Sequence, residues 1–305
     1  MRSWTLSLAV LAALALAPFL LPPYHATNLA RIMLLASFAM GYNLAFGMTG
    51  LLSLGHALFF AAGLYATGLL VAQAGLPATA ALPAGIAAGG LVALLTGLLA
   101  LRTSGTAFMI VTLMFAQAGY LAILYFGAIT RGDEGFTIPR AARAIGPLDL
   151  SLDGPRYGLA FALFATGLLA ALSLVRSPAG RVLAAIRENP ERTRMLGYDP
   201  FRYRLLALTL SGLYAGAAGA AYGLAFGYVG ASFASVQYSI LPLLWVLLGG
   251  AGTILGPLFG TALMFYVLDL AARVTDATLL VVGAALILLV LFAPRGILGT
   301  LRWLR

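Results

Sequence analysis

Residues 176–204 read RSPAGRVLAAIRENPERTRMLGYDPFRYR, a long stretch in the middle of the chain that is too polar to lie in lipid. It carries seven arginines and three acidic residues, whereas Leu, Ala, Gly, Val and Phe dominate on either side. A charged segment between apolar ones is typical of a loop between membrane spans, and arginine-rich loops belong on the cytoplasmic side. The stretch therefore predicts a polytopic membrane protein and orients its spans.

Helix signals inside this loop predict two short helices. Residues 180–188 have the spacing of a short amphipathic helix. Asn189 is a good N-cap and Pro190 suits the first position of a second helix, which Gly197 would end. We call residues 180–197 the knob, because two capped helices between spans can press into a groove of a partner. The alternative is a solvated loop that only sets the topology of the spans.

Composition bounds the class of protein. With 62% hydrophobic and 9% charged residues among 305, the chain is not an ordinary soluble domain. All 18 basic residues are arginine, so the lysine that a P-loop needs is missing and any ATP must bind another subunit. There is no cysteine, which excludes disulfides and cysteine-ligated metals. The net charge of +9 lies in loops that flank spans, which favours positive-inside topology over nucleic-acid binding.

The apolar runs predict about ten spans in a single transmembrane domain, residues 1–305. Residues 32–72 would form one helix of about 62 Å, twice a hydrocarbon core of roughly 30 Å, so the chain must turn near residues 47–50. Residues 238–271 are too long for one span, and their glycines predict two short or discontinuous spans. The remaining predicted spans are 5–21, 30–47, 51–72, 80–101, 104–127, 157–175, 205–228 and 278–292. For residues 5–21 a signal peptide is the alternative, but we favour an uncleaved span because the apolar core is long.

A second polar loop, residues 128–156, sets the orientation by comparison. It contains four arginines against seven in residues 176–204, and the span 157–175 places the two loops on opposite sides of the membrane. The loop with more arginine belongs inside, so residues 128–156 are expected outside. With ten spans, both termini are then cytoplasmic.

Four blocks of sequence carry a resemblance to a known family. In the knob a pattern close to GR-x-L-x-A-I-R-E precedes a short helix and a glycine. Its residues are Gly180, Arg181, Leu183, Ala185, Ile186, Arg187, Glu188 and Gly197. The other blocks are GYNLAFGMTGLLSLGHALFFAAGLY (41–65), LLGGAGTILGPLFG (247–260) and FAPRGILG (292–299). Together they resemble the LivM-type permeases of ABC importers for branched-chain amino acids. Residues 190–194 depart from the family pattern and make the knob more basic.

The resemblance implies a fold and a function. The fold would be an all-α polytopic membrane protein with some spans broken at Gly or Pro, in a BtuC-like, type II importer-like ABC permease architecture. The chain would be the permease subunit of an ATP-driven ABC importer for branched-chain, hydrophobic amino acids. It would lie in the cytoplasmic (inner) membrane of a bacterium or archaeon. The alternatives are a permease for urea, amides or another small solute, a secondary transporter, and a membrane enzyme.

The resemblance also implies partners. They are a second, LivH-like permease, two cytoplasmic ATPase subunits and a periplasmic or extracellular solute-binding protein. ATP and Mg²⁺ would bind the ATPase subunits, so this chain would bind no cofactor or metal and catalyse no reaction. The matched residues of the knob would couple the permease to the ATPases.

The lack of a suitable acidic residue disfavours a secondary transporter. Such carriers generally need a buried acid, and the sequence offers no convincing Asp or Glu away from the membrane–water interface.

Paired breaks in apolar segments often flank a transport path, because irregular backbone is tolerated there only against protein or a water-lined cavity. The breaks near residues 47–55 and 249–257 lie one in each half of the chain. The candidate path residues are Asn43, Gly50, Ser53, Gly55, His56, Gly249, Gly250 and Gly252. Ser53 and His56 lack a GxSxG elbow, which disfavours a hydrolase. We expect His56 to bond a neighbouring helix or cap the turn, or else to line the path.

The outer loop offers a candidate docking site for the binding protein. Arg140 and Arg143 follow Pro139 three residues apart, so a short helix would present both guanidinium groups on one face. Such groups suit carboxylates of a partner. The alternative is an ordinary solvated loop whose arginines balance Asp133 and Glu134.

Overall fold

A computed structural model describes residues 2–274, 280, 283–284, 287 and 296–300, and most of them are helical. The helices are α1 (Arg2–Leu20), α2 (Pro23–Thr49), α3 (His56–Ala72), α4 (Ala78–Ala100), α5 (Gly105–Tyr125), α6 (Gly127–Thr130), α7 (Asp153–Arg176), α8 (Pro178–Glu188), α9 (Pro190–Met195), α10 (Pro200–Phe226), α11 (Val236–Gly249), α12 (Gly256–Val274) and α13 (Ile297–Thr300). The predicted span 278–292 lies almost entirely outside the described residues, so the count of ten spans stays a prediction.

Five of these helices are long and apolar enough to cross a membrane: α2, α4, α5, α7 and α10. Four further apolar helices, α1, α3, α11 and α12, have shorter apolar stretches. Large apolar side chains point outward from the bundle, among them Leu91 and Leu95 of α4 and Ile110 and Met114 of α5, each more than half exposed. In water such surfaces would be costly, whereas a bilayer solvates them. The predicted all-α polytopic membrane fold is confirmed.

Both predicted breaks are present. α2 ends at Thr49, and Gly50 follows with φ of 74°, a left-handed conformation that glycine adopts without strain. The chain then runs without helix to His56, so α3 begins five residues later than the predicted span 51–72. The second break, residues 250–255, separates α11 from α12, as predicted for the run 238–271.

Helix α10 lies at the centre and packs against α2, α3 and α4. The approach is close because small residues line the contacts. A Cβ atom on Gly216 would lie 2.8 Å from the Cα atom of Gly89 in α4 and 3.0 Å from the carbonyl oxygen of Gly85. Without a hydrophobic driving force in lipid, such tight van der Waals packing holds spans together.

The polar loop after α6 is ordered by short strands. β1 (Phe136–Thr137) pairs antiparallel with β4 (Tyr228–Val229), which follows α10, and β2 (Ala144–Ile145) pairs with β3 (Leu148–Asp149) as a hairpin. Between β1 and β2 lies the 3-10 helix Arg140–Ala142. A second 3-10 helix, Ala231–Ala234, leads into α11. The loop is therefore tied to the end of α10.

We expect Gly216→Ala to destabilise the bundle by about 1–3 kcal/mol, because the added methyl group must push α4 away from α10. The measurement is the thermal unfolding midpoint of the purified protein in detergent. Gly158→Ala in α7 is the matched control, since nothing lies within 4 Å of a Cβ atom there. A midpoint that is the same in both variants would contradict the close α4–α10 contact.

Candidate functional site

The knob folds as two capped helices. The side chain of Ser177 accepts a hydrogen bond from the N–H of Gly180 at 3.1 Å and caps α8. Asn189 caps α9 in the predicted way, its Oδ1 accepting from the N–H of Arg192 at 3.0 Å. Gly197 then adopts a φ of 88° just beyond α9. The local sequence thus determines this part of the structure, because each cap satisfies N–H groups that the helix leaves unpaired.

One face of α8 anchors the knob to the spans. Val182, Leu183 and Ile186 are buried, and α8 packs against α2, α7 and α10. Gly180 lies against the last turn of α7, where a Cβ atom would collide with the carbonyl oxygen of Leu174. The knob therefore rests, through α8, on the ends of three membrane helices.

Arg187, at the end of α8, connects the knob to both chain breaks. Its Nη1 donates a hydrogen bond to the carbonyl oxygen of Gly47, in the last turn of α2. The same Nη1 lies 2.8 Å from where a Cβ atom on Gly252 would be, in the break between α11 and α12. One guanidinium group thus touches the end of the first interrupted segment and the middle of the second.

Asn43 joins the two breaks directly. Its Oδ1 accepts a hydrogen bond from the N–H of Gly252 at 2.8 Å, and its Nδ2 donates to the carbonyl oxygen of Thr253 at 2.9 Å. The two bonds satisfy backbone groups that no helix pairs at that point, and lipid could not pair them. Asn43 therefore holds residues 250–255 against α2.

Glycines allow the backbone segments of this region to pack closely against one another. A Cβ atom on Gly249 would collide with the carbonyl oxygen of Gly256 across the break, and one on Gly296 would lie within 2.6 Å of Leu247 and of Gly250. Gly296 belongs to the block 292–299. Residues from all four blocks that carried the resemblance, which are far apart in sequence, therefore meet at one place at the base of the knob.

His56 and Ser53 lie in the same region with separate partners. The Nε2 atom of His56 is 2.7 Å from the Oγ of Ser211 in α10, and the side chain is fully buried against the ring of Tyr42. The Oγ of Ser53 accepts from the N–H of Gly55 at 3.2 Å. The expectation that His56 bonds a neighbouring helix is confirmed. The two side chains do not face one another as a nucleophile and its base.

The outer loop places its two arginines differently from the prediction. The predicted helical turn is present, but Arg143 is only 8% exposed and its guanidinium group packs against Gly227 at the end of α10. Arg140 is exposed. The prediction that both guanidinium groups lie on one face for a partner is wrong, because Arg143 is buried against Gly227 whereas Arg140 is exposed. Docking of a binding protein on Arg140 stays a prediction.

Several residues that hold this region together were not expected from the sequence. Thr112 of α5 accepts a hydrogen bond from the N–H of Leu54 at 3.1 Å, and Ser239 of α11 accepts from the N–H of Ala57 at 3.0 Å. They fix the segment after Gly50 and the start of α3. Serine and threonine are common in spans, so only their place in the fold distinguishes them.

Comparison with known proteins decides the family. A family model described as branched-chain amino acid transport system, permease component, matches residues 25–291. The chain belongs to this permease family. It is 30% identical over 321 residues to the high-affinity branched-chain amino acid transport system permease protein LivM of Escherichia coli (strain K12), covering 97% of this chain and 75% of the relative.

Two further relatives of the permease carry similar names. The LivM protein of Salmonella typhimurium is 30% identical over 292 residues, which is 88% of this chain and 69% of that protein. A probable branched-chain amino acid transport permease protein LivM of Methanocaldococcus jannaschii is 33% identical over 88 residues, or 28% of this chain. No solved structure matches, so the BtuC-like arrangement of the permease stays a prediction.

We expect Asn43→Leu to loosen residues 250–255, because the N–H of Gly252 and the carbonyl of Thr253 lose their partners at about 1–3 kcal/mol each. Hydrogen–deuterium exchange in nanodiscs should become faster in that segment. Ser37→Ala is the matched control, since Ser37 is buried on the same helix but bonds only the carbonyl of Met33. Unchanged exchange in Asn43→Leu would contradict the role of this side chain.

Proposed function

We propose that the chain is the permease subunit of an ATP-driven ABC importer for branched-chain amino acids in the cytoplasmic membrane. It would work with a second permease of the LivH kind, two ATPase subunits that bind ATP and Mg²⁺, and an external binding protein. Family membership supports the transport class, and the relatives' names support the substrate. The absence of lysine supports ATP binding by other subunits.

The position of Arg187 supports a mechanism for coupling the ATPases to the transport path. A displacement of α8 by the ATPases would pull on the carbonyl of Gly47 and on residues 250–255 together. Asn43 would carry the same movement between α2 and the second break. Interrupted helices bend at low cost where their backbone groups are already held by protein. Closure of the ATPases would in this way alternate access to the path.

The tip of the knob supports docking of the ATPases. Met195 is 85% exposed and Leu196 is 74% exposed, in a loop that is otherwise charged. Tyr198 and Phe201 are also large and exposed. In a position outside the lipid, such apolar side chains favour burial in a groove of a partner. The arginines around them favour acidic residues in that groove.

Reconstituted uptake tests the function as a whole. Proteoliposomes containing the complete complex should accumulate labelled leucine only when ATP is inside and the binding protein outside. Uptake driven by an ion gradient without ATP would favour a secondary transporter. ATP-driven uptake of urea or an amide in place of leucine would favour the alternative substrate class.

Met195→Glu with Leu196→Glu should weaken copurification of the ATPases at least about tenfold, because two charges would replace the apolar tip of the knob. Leu148→Glu with Leu152→Glu in the outer loop is the control, since these leucines are similarly exposed but lie on the predicted opposite side. ATPase recovery at the wild-type level in the knob variant would refute docking at this tip.

Orientation can be measured with single cysteines, since the chain has none of its own. In cells that produce the permease without the ATPase subunits, which would otherwise cover the tip of the knob, a membrane-impermeant maleimide should label Leu148→Cys while the cells are intact but Leu196→Cys only after permeabilisation. Both side chains are more than half exposed, so accessibility within the protein does not decide the result. Labelling of Leu196→Cys in intact cells would reverse the proposed topology.

A further inference from the structure

Arg31 is a charged residue of a membrane helix, and the described part of the chain gives it no ion-pair partner. It lies about 12 Å along α2 from the helix start and is half-buried, just before the fully buried part of the helix begins at Ile32. No carboxylate lies within 4 Å of it among the described residues, and its buried Nε has no hydrogen-bond partner. Its guanidinium carbon is 4.6 Å from the ring centre of Phe226. A cation–π contact compensates only part of the cost of such a charge.

A second unpaired donor lies one turn earlier on the same face of α2. Asn28 is 9% exposed, and its buried Nδ2 has no hydrogen-bond partner. Residues three apart on a helix are neighbours, so the two side chains can reach one ligand. Buried polar groups are rarely left unpaired, and two unpaired donors together indicate an acceptor that binds between them.

Aromatic side chains surround this pair. The Phe226 ring that Arg31 contacts is 4.7 Å from the ring of Tyr222 in α10, and Tyr222 is 5.3 Å from Phe233, both measured between centroids. The ring of Tyr238 is 5.2 Å from Phe60 and 5.2 Å from Phe233, measured between centroids. The result is a polar end made of N–H and O–H groups next to an apolar, aromatic wall.

The place of this pair on α2 connects it with the site described above. Steps of three and four residues lead from Arg31 through Leu35 and Phe38 to Tyr42 on one helix face. Phe38 contacts Phe60, Tyr238 and Trp245, so this face is turned to the interior of the bundle. Its other end reaches the ring of His56 and the break held by Asn43.

We propose that Arg31 and Asn28 bind the carboxylate of the transported amino acid at the outer end of the path. The inference rests on the proposed function and names the part of the substrate that is recognised. A guanidinium fork pairs with a carboxylate through two parallel hydrogen bonds, and the amide of Asn28 adds a third donor. The branched apolar side chain then lies against the rings of Tyr238 and Phe233, where burial favours it.

Arg156 is an arginine in the same region whose contacts give it a structural role. It lies over the same Phe226 ring, at 5.6 Å. Its Nε lacks a hydrogen-bond partner, as that of Arg31 does, but its Nη1 is paired with Asp153 at 3.0 Å, and its Nη2 donates to the carbonyl of Ser151 at 2.6 Å. Arg156 is therefore a matched control for loss of a cation–π contact without loss of a binding site.

The experiment measures ligand binding without the binding protein. The complete transporter complex in nanodiscs is heated with L-leucine or with L-leucinamide, which lacks the carboxylate. Leucine should raise the unfolding temperature of the wild type and of Arg156→Gln, and leucinamide should not. Arg31→Gln and Asn28→Leu should need at least about tenfold more leucine for the same rise, with Arg31→Lys between.

The same variants are then assayed for leucine uptake in proteoliposomes. Arg31→Gln should lower the rate at saturating binding protein at least about tenfold, while Arg156→Gln keeps most of it. Wild-type stabilisation that is equal with leucine and leucinamide would overturn the carboxylate site, whether or not the variants fold. Normal leucine response and uptake in Arg31→Gln would overturn it as well. Absence of leucine uptake by the wild type would instead refute the proposed function.

Discussion

The structure depends on one constraint: backbone N–H and C=O groups cannot stay unpaired in lipid. Two apolar segments stop being helical at the base of the knob, after Thr49 and after Gly249. The protein itself must supply partners for the groups that are freed there. Asn43 supplies two hydrogen bonds to the second break, and Arg187 supplies one to the end of α2. The interruptions therefore persist only while α2, the second break and the knob remain together.

Because the interruptions depend on the knob, the knob is structurally continuous with the membrane helices. The buried face of α8 rests on three spans, and its last arginine reaches the backbone at both breaks. Close contacts between glycines leave little room for a local adjustment. A shift of the knob must therefore be accommodated by the breaks, which are the least regular parts of the bundle.

The sequence predicts features whose cause is local. Asn189 and Pro190 specify the start of α9, and the glycines near residues 50 and 250 specify where long apolar runs must stop. Contacts between distant segments could not be predicted in this way. Asn43 and Thr253 are 210 residues apart, and no periodicity relates them. The sequence pattern indicates that Arg143 is a solvated loop charge, yet its side chain is buried against Gly227 at the end of α10. Only the resemblance to a family indicated that the four blocks belong together.

Helix α10 also links the two faces of the protein mechanically. It runs for 27 residues, about 40 Å, from the cap at Asp199 beside the knob to β4, which pairs with β1 of the outer loop. A helix of this length can act as a lever. A tilt of about 5° around its midpoint would move each end by roughly 2 Å in opposite directions. Movements of the knob and of residues 128–156 would then be coupled through α10, with Tyr222 and Phe226 near the end that lies opposite the knob.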